Sequence, residues 1–235
     1  MMTRAFLLAA ILCALFIGAV ALLLPSTTAA EPAQHPQVYF PAVTHGYCGP
    51  FFDPFDDPEL GWINRPFGDL RAEVRQGEYI LQFTGSGMVW LVPGPVCEHT
   101  TYRAAVDTRW VGAPGNFAGL LIDLDEQSRS GYLFAINTDD RVWLVFEVAG
   151  GSLRTIIPPT GNDAILPGVA VNRLAVERTD QTLHLSINGT SVGELRDDRP
   201  DQPVIAGVAA ASYTTQAQAE ARFDNFAYGP GEPAR

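Results

Sequence analysis

The sequence predicts an all-β protein: a two-sheet antiparallel jelly-roll sandwich of about twelve strands, preceded by an apolar N-terminal targeting segment. Three observations carry this. Runs of alternating apolar and polar residues follow one another from Phe51 to Tyr228, and a period of two marks strands with one wet face. Turn-forming clusters separate the runs, in a chain with 22 Gly and 18 Pro, as a fold with many tight turns requires. No stretch of ten residues carries the 3.6-residue periodicity of an amphipathic helix.

In chain order, Met1-Met2-Thr3-Arg4 supplies one positive charge, Ala5 to Leu24 is an unbroken apolar run, and Pro25 to Ala30 supplies small residues before Glu31. Residues 1–30 therefore read as a signal peptide, or as an uncleaved membrane anchor, since the run is long enough to span a bilayer. Both readings send the rest of the chain out of the cytoplasm. Cys13 lies within this run and has no lipobox before it. Residues 31–47 have three Pro and no periodicity and read as a linker, 48–229 as the sandwich, and 230–235 as a polar tail. Outside the targeting segment only Cys48 and Cys97 remain, and two cysteines in an exported chain predict one disulfide. It would close a loop of about fifty residues, worth roughly 2–4 kcal/mol.

Leu70 to Val74 and Glu78 to Phe83 flank Arg75-Gln76-Gly77, a compact hairpin turn. Tyr102 to Trp110 alternates, with Tyr102, Ala104, Val106, Thr108 and Trp110 on one side and Arg103, Asp107 and Arg109 on the other. Phe117 to Leu124 is apolar on both sides, the mark of a central strand covered by a second layer. Tyr132 to Ile136 and Val142 to Val148 are joined through Asn137-Thr138-Asp139-Asp140. Leu183, Leu185 and Ile187 alternate with His184 and Ser186 before Asn188-Gly189, a strong hairpin signal because both residues tolerate positive φ. Ser191 to Leu195 returns, and Val204 to Ser212 and Ala221 to Tyr228 complete the domain. Asn188-Gly189-Thr190 also fits the glycosylation acceptor pattern, which the hairpin explains by itself.

The assembled motifs resemble the concanavalin A-like lectin/glucanase superfamily, and within it the laminin-G-like and 3-keto-disaccharide-hydrolase-like domains of exported bacterial proteins. The matching pieces are Phe55-Asp56-Asp57-Pro58-Glu59-Leu60-Gly61-Trp62, Gly77-Glu78-Tyr79-Ile80-Leu81, Gly119-Leu120-Leu121 and Gly131-Tyr132-Leu133-Phe134. Asn172-Arg173-Leu174-Ala175-Val176, Ile187-Asn188-Gly189-Thr190 and Arg222-Phe223-Asp224-Asn225-Phe226 complete them. The resemblance implies the fold more sharply than the function, because the superfamily holds lectins, carbohydrate-binding modules, glycosidases and adhesion domains.

All fifteen basic residues are Arg, and the net charge is −11. An acidic chain without a basic cluster argues against nucleic acid as a partner and against docking on anionic lipid, leaving membrane contact to the N-terminal segment. Retaining glucanases on this scaffold set acids in a Glu-x-Asp-x-Glu run on one strand face. The nearest run here, Asp123-Leu124-Asp125-Glu126, lacks the leading Glu and reads as a solvated strand end. Glu147, Glu177, His99 and His184 read as isolated polar residues, and no Gly-x-Ser-x-Gly is present.

Candidate sugar-stacking aromatics are Trp143, Tyr132, Trp90 and Trp110, with Tyr213 beside them. Trp143 is a platform if its sheet face is open and core if that face is covered. Trp62 reads as a packing plug. Asp56, Asp57 and Asp224 are candidate ligands of a structural calcium ion, which takes several hard oxygens; no other cofactor is expected. The expected function is a non-catalytic extracytoplasmic module binding a carbohydrate or cell-surface polymer. A glycoside-cleaving enzyme on the same scaffold is the alternative, and a structural or adhesion domain the third. The missing catalytic signature leans the expectation away from an enzyme.

Overall fold

The computed structural model describes residues 37–39, 49–67, 70–83, 88–94, 101–125, 128–199, 204–212 and 219–230. The predicted targeting segment, most of the linker, Cys48, Cys97, His99 and Tyr213 lie outside the described residues, so the disulfide pairing does too. The strands are β1 (Gln37–Tyr39), β2 (Phe51–Asp53), β3 (Arg65–Phe67), β4 (Leu70–Arg75), β5 (Glu78–Phe83), β6 (Met88–Pro93), β7 (Tyr102–Val111) and β8 (Phe117–Asp125). There follow β9 (Ser130–Asn137), β10 (Val142–Ala149), β11 (Ser152–Gly161), β12 (Asn172–Thr179), β13 (Thr182–Ile187), β14 (Thr190–Arg196), β15 (Ile205–Ser212) and β16 (Ala219–Gly229). The fold is all-β, as predicted.

One sheet runs β1-β6-β15-β8-β9-β10-β11; the other runs β14-β13-β12-β7-β16-β5-β4-β3, with β2 paired to β16 beside it. Pairing is antiparallel apart from β1 with β6. Alternation explains the second sheet. In β7, Tyr102, Ala104, Val106, Thr108 and Trp110 are buried while Arg103, Asp107 and Arg109 are half-exposed on the outer face. In the first sheet, β15 and the interiors of β8 and β9 are buried on both alternations, as their apolar sequences predict.

Two hairpins turn where expected, with positive φ at Gln76 and Gly77 and again at Asn188 and Gly189. The Asn137 carboxamide oxygen accepts from the backbone N–H groups of Asp139 and Asp140 at 2.9 and 3.1 Å and closes the β9–β10 turn. The alternation signal does not extend to β11, whose Pro158 and Pro159 argue against a strand. It forms because β11 is the sheet edge and both prolines fall between Ile157 and Thr160, where the register with β10 shifts, so neither owes β10 a ladder bond.

Trp62 is the plug the sequence predicts. It is buried against Phe55, Tyr79 and Phe226 at centroid distances of 5.2, 5.1 and 5.0 Å, and its Nε1 donates to Asp53 Oδ2 at 2.8 Å. The Asp53 carboxyl also accepts from the Phe55 N–H at 2.6 Å. These contacts fix the loop that holds Asp56 beside Gly77.

Two glycines make room for the packing. A Cβ on Gly193 of β14 would lie 2.8 Å from the Trp143 indole, and one on Gly119 would lie 2.1 Å from the Phe134 carbonyl oxygen and 2.7 Å from Ala135 Cα. The obstruction at Gly119 is backbone and cannot rotate away. Gly119→Ala is therefore expected to cost about 1–3 kcal/mol by overpacking, read as a lower urea midpoint, whereas Gly161→Ala, with open space around it, should stay near wild type.

Candidate active site

The outer face of the second sheet carries its chemistry in cross-strand rows. Asp224 on β16 stands opposite Asp107 on β7, and Asp107 opposite Arg173 on β12. Residues directly opposite in antiparallel strands have Cβ atoms about 4.5–5.5 Å apart, and like charges placed so repel. Strong local bonding holds the arrangement. Arg173 Nη1 donates to Asp107 Oδ1 at 2.8 Å and Asn225 Nδ2 to Asp107 Oδ2 at 2.9 Å. The Asn225 N–H donates to Asp224 Oδ1 at 2.7 Å.

Asn225 reaches both acids because it occupies a bulge. The β16–β7 register shifts between Asp224 and Ala227, and Asn225 has φ 51°, a left-handed value that Asn tolerates better than most residues. Bulges of this kind re-aim side chains beside active sites.

Glu78 on β5 completes the cluster. Arg109 donates Nε to its Oε1 at 2.8 Å and Nη2 to its Oε2 at 2.7 Å, and Arg222 Nη1 donates to Oε2 at 3.1 Å. Burial acts to raise Glu78, but these two guanidinium groups outweigh it and hold the carboxyl below its usual range. Asp224 goes the other way. Burial lifts it above the ordinary carboxylate value, the Asn225 N–H opposes this, and the charges of Asp107, Glu78 and Asp56 add to the rise. Neighbouring carboxyls pushed in opposite directions are the usual source of a matched acid and base.

One row along from the acids, the same face holds a trough over β7, β12, β13 and β14. Ala105, Ala175, Ser186 and Ser191 stand opposite one another on β7, β12, β13 and β14, and Ala227 on β16 extends the row. A second charged row, Arg103, Glu177, His184 and Glu194, walls the far side. Arg103 Nη2 donates to Glu177 Oε1 at 2.7 Å, and His184 Nδ1 lies 3.0 Å from Glu194 Oε1. Small residues between charged rows leave a concavity of about 310 Å³, lined by Arg103, Ala175, Glu177, His184, Ser186 and Ser191 among others.

Asp123 is neither a solvated strand end nor part of an open catalytic face, and that reading is corrected. It is fully buried, at a register break in β8 with φ 51°. Tyr102 donates to its Oδ1 at 2.7 Å, Arg178 Nη1 lies 3.0 Å from its Oδ2, and Arg199 Nη2 lies 3.4 Å away. Arg199 also donates to Asp197 at 2.8 and 3.0 Å and covers the Tyr132 ring at 4.6 Å. Burial pushes Asp123 up to about 6 against the pull of Arg178, Tyr102 and Arg199. At Asp197, burial is outweighed by the Arg199 hydrogen bonds and charge, which hold it low. The two sheets are thus tied at one end by a buried knot of two acids and two guanidinium groups.

The expected stacking residues do not form a platform. Trp143 is 4% exposed, packed edge-on to Phe134 and against Gly193, so its sheet face is the covered one. Tyr132 and Trp110 are each 6% exposed, Tyr132 donating to Asp197 and Trp110 Nε1 to the Ala113 carbonyl. Trp90 pairs in β6 with Tyr39 and Ala210; its side chain lies outside the described residues.

Of the calcium candidates, the Asp56 charge reaches both Asp224 and Asp53, while Asp57 reaches Asp53 and accepts from the Glu59 N–H at 2.9 Å. Among the described residues no group of three His, Cys, Asp or Glu side chains could hold a metal ion. Glu147 and Glu177 are paired with Arg154 and Arg103. The acids that converge, Asp107, Glu78 and Asp224, were missed as a set. A signal existed in Glu220-x-Arg222-x-Asp224, a one-face alternation on one strand, but their meeting depends on strand order.

No protein-family model matches the sequence, and no curated protein matches it. Solved structures do. A Bacillus licheniformis β-glucanase is 13% identical with a TM-score of 0.58, covering 78% of this chain and 99% of its own. An endo-1,3-β-glucanase (laminarinase) catalytic domain from Thermotoga petrophila RKU-1 is 12% identical with a TM-score of 0.52, covering 77% and 97%. The Crh5 transglycosylase is 11% identical with a TM-score of 0.58, covering 82% and 89%. At such identities the likeness establishes the concanavalin A-like fold. It also corrects the leaning away from an enzyme: the scaffold's similar structures include glycoside-cleaving and glycosyl-transferring enzymes along nearly their whole lengths.

Proposed function

We propose that this chain, a concanavalin A-like β-sandwich by fold, cleaves or transfers glycosidic bonds outside the cytoplasm, at the Asp107–Asp224 pair. One observation carries the reading: two carboxyl groups held directly opposite each other on an exposed sheet face, with Asp224 raised. That register puts the two Cβ atoms about 4.5–5.5 Å apart, so both carboxyl groups can face one sugar unit, as the paired acids of glycosidases do.

Asp224, protonated further into the mildly acidic range than an ordinary carboxyl, gives its proton to the glycosidic oxygen. Asp107, fixed by Arg173 and Asn225, attacks the anomeric carbon as the bond to the leaving sugar breaks. Water or a sugar hydroxyl then displaces Asp107 and returns a proton to Asp224. Arg109 and Arg222 hold Glu78 ionised beside the pair, and the trough receives the sugar chain.

The experiment is incubation of the exported domain with laminarin, mixed-linkage β-glucan, chitin oligosaccharides and xylan, followed by chromatography of the products. Expected is a new oligosaccharide ladder from one of them, absent with Asp107→Asn. No product from any substrate between pH 4 and 7, or products that persist in Asp107→Asn, overturns the proposal.

A further inference from the structure

We infer that the loop joining β11 to β12, residues 162–171, docks this protein on a zwitterionic lipid surface by inserting Leu166, Val169 and Val171. The inference is independent of the glycan-acting reading above.

The segment Leu166-Pro167-Gly168-Val169-Ala170-Val171 contains no charged residue and no hydrogen-bonding side chain. Its three large side chains face solvent, at 48%, 64% and 51% exposure. They are three of the five exposed large hydrophobics among the described residues, the other two being Phe52 and Leu60. Exposed apolar side chains gathered on one loop mark a contact surface.

The loop is held in shape from beneath. Ile165 is its buried anchor. The fully buried Asn172 carboxamide accepts from the Leu166 N–H at 2.8 Å and donates to the carbonyls of Leu166 and Ala170 at 3.0 and 3.2 Å. Arg141 donates to the carbonyls of Asp163 and Ile165 at 2.8 and 3.0 Å, and Asn188 to that of Ala164 at 2.7 Å. The Ala164 and Ile165 N–H groups donate to the Asn162 side chain and carbonyl. The Ala170 N–H donates to the Pro167 carbonyl across a turn at Gly168, where φ is 65°. Backbone groups bonded within the protein suit an apolar medium, where no water replaces a missing bond.

Size, charge and position select the occupant. The three side chains expose on the order of 300 Å², well short of the about 800 Å² per partner of a standard protein interface, so a second copy is a poor fit. A lipid surface needs only apolar area to insert. The adjoining Arg141 and Arg173 are paired with Asp163 and Asp107. Exposed Asp139 and Asp140 on the next turn turn away anionic headgroups. Strand pairing places Gln37, the start of β1, at the same end of the first sheet as Gly161, where the loop departs. The apolar run Ala5 to Leu24 precedes β1 in the chain, so a retained anchor is tethered at the end that carries the loop. The β7–β8 connection at that end, Gly112-Ala113-Pro114-Gly115-Asn116, is uncharged as well.

The test adds one tryptophan to the exported protein and mixes it with phosphatidylcholine vesicles whose brominated acyl chains quench indole fluorescence. Val169→Trp and Val171→Trp report from the loop. Ser152→Trp reports from the exposed β10–β11 hairpin at the opposite end of the sheet. Native Trp62, Trp110 and Trp143 are buried, and wild type supplies the background. Expected is at least twofold quenching of the added signal, with a blue shift, for Val169→Trp and Val171→Trp and none for Ser152→Trp. High salt should not diminish it, and added phosphatidylglycerol should not strengthen it. Leu166→Asp combined with Val169→Trp should abolish the quenching while cleavage of soluble oligosaccharides stays at the wild-type level. Equal emission from the loop and hairpin reporters overturns the proposal. Quenching only with phosphatidylglycerol, or a blue shift without quenching that grows with protein concentration, also overturns it, in favour of charge attraction or self-association.

Discussion

Arg178→Met is expected to destabilise the protein by about 3–5 kcal/mol, the cost of removing one partner from a buried ion pair. Arg178 is fully buried and lies 3.0 Å from Asp123 and 3.8 Å from Asp197, both themselves buried. Without it, Arg199 alone faces two carboxylates, and the charge left over has no water to solvate it. Urea unfolding monitored by tryptophan fluorescence measures the loss. Arg154→Ala is the control, because the Arg154–Glu147 pair has Arg154 71% exposed and surface pairs contribute about 0–1 kcal/mol. A change within about 1 kcal/mol for Arg178→Met would show that the knot does not hold the sheets.

The same knot gives stability a pH dependence. Asp123 sits near 6 in the folded chain, above its unfolded value of about 3.9. A carboxyl raised in this way binds its proton more tightly when folded. Its contribution is complete below pH about 4 and is lost as pH rises through about 6, by ~3 kcal/mol at most. Asp53 and Asp224 are raised too and act in the same direction. Asp197 and Glu78 are lowered, so their contributions fade only on further acidification. Unfolding stability should therefore fall between pH 4.5 and 7, and Asp123→Asn should make that fall shallower. An unchanged slope in Asp123→Asn would remove Asp123 as its source.

Asp224→Asn is expected to lower glycan cleavage by about 10²–10⁴-fold, the usual size of a lost general acid, while folding remains intact. The side chain is half-exposed, and its hydrogen bond from the Asn225 N–H survives in the amide. Wild-type activity should fall as pH rises above the Asp224 value. Moving the neighbouring charges moves that limb: Glu78→Gln removes one of the negative charges that lift Asp224, so the alkaline limb should shift to lower pH. A limb that does not move in Glu78→Gln, together with full activity in Asp224→Asn, would assign proton transfer to another group.

Much of the fold was legible in order of residues. The alternation of Tyr102 to Trp110 fixed which side chains of β7 face inward, because a strand's geometry allows only two faces. Asn188-Gly189 and Gln76-Gly77 fixed two hairpins, because few residues accept positive φ. Edge strands such as β11 were hidden, because their prolines speak against a ladder that, at an edge, needs only one side.

The candidate site was hidden for a different reason. Asp107 and Asp224 lie 117 positions apart in separate alternating runs, each of which reads as a solvated face. The sequence by itself determined the sandwich, its inward-facing residues and its turns, since these depend on local backbone sterics and period-two burial. Only the tertiary structure decided that β16 lies between β5 and β7, with Asp224 opposite Asp107, Trp143 in the core and Asp123 in a sealed knot. Strand order is set by packing across the whole chain, and no local spacing encodes which charges become neighbours.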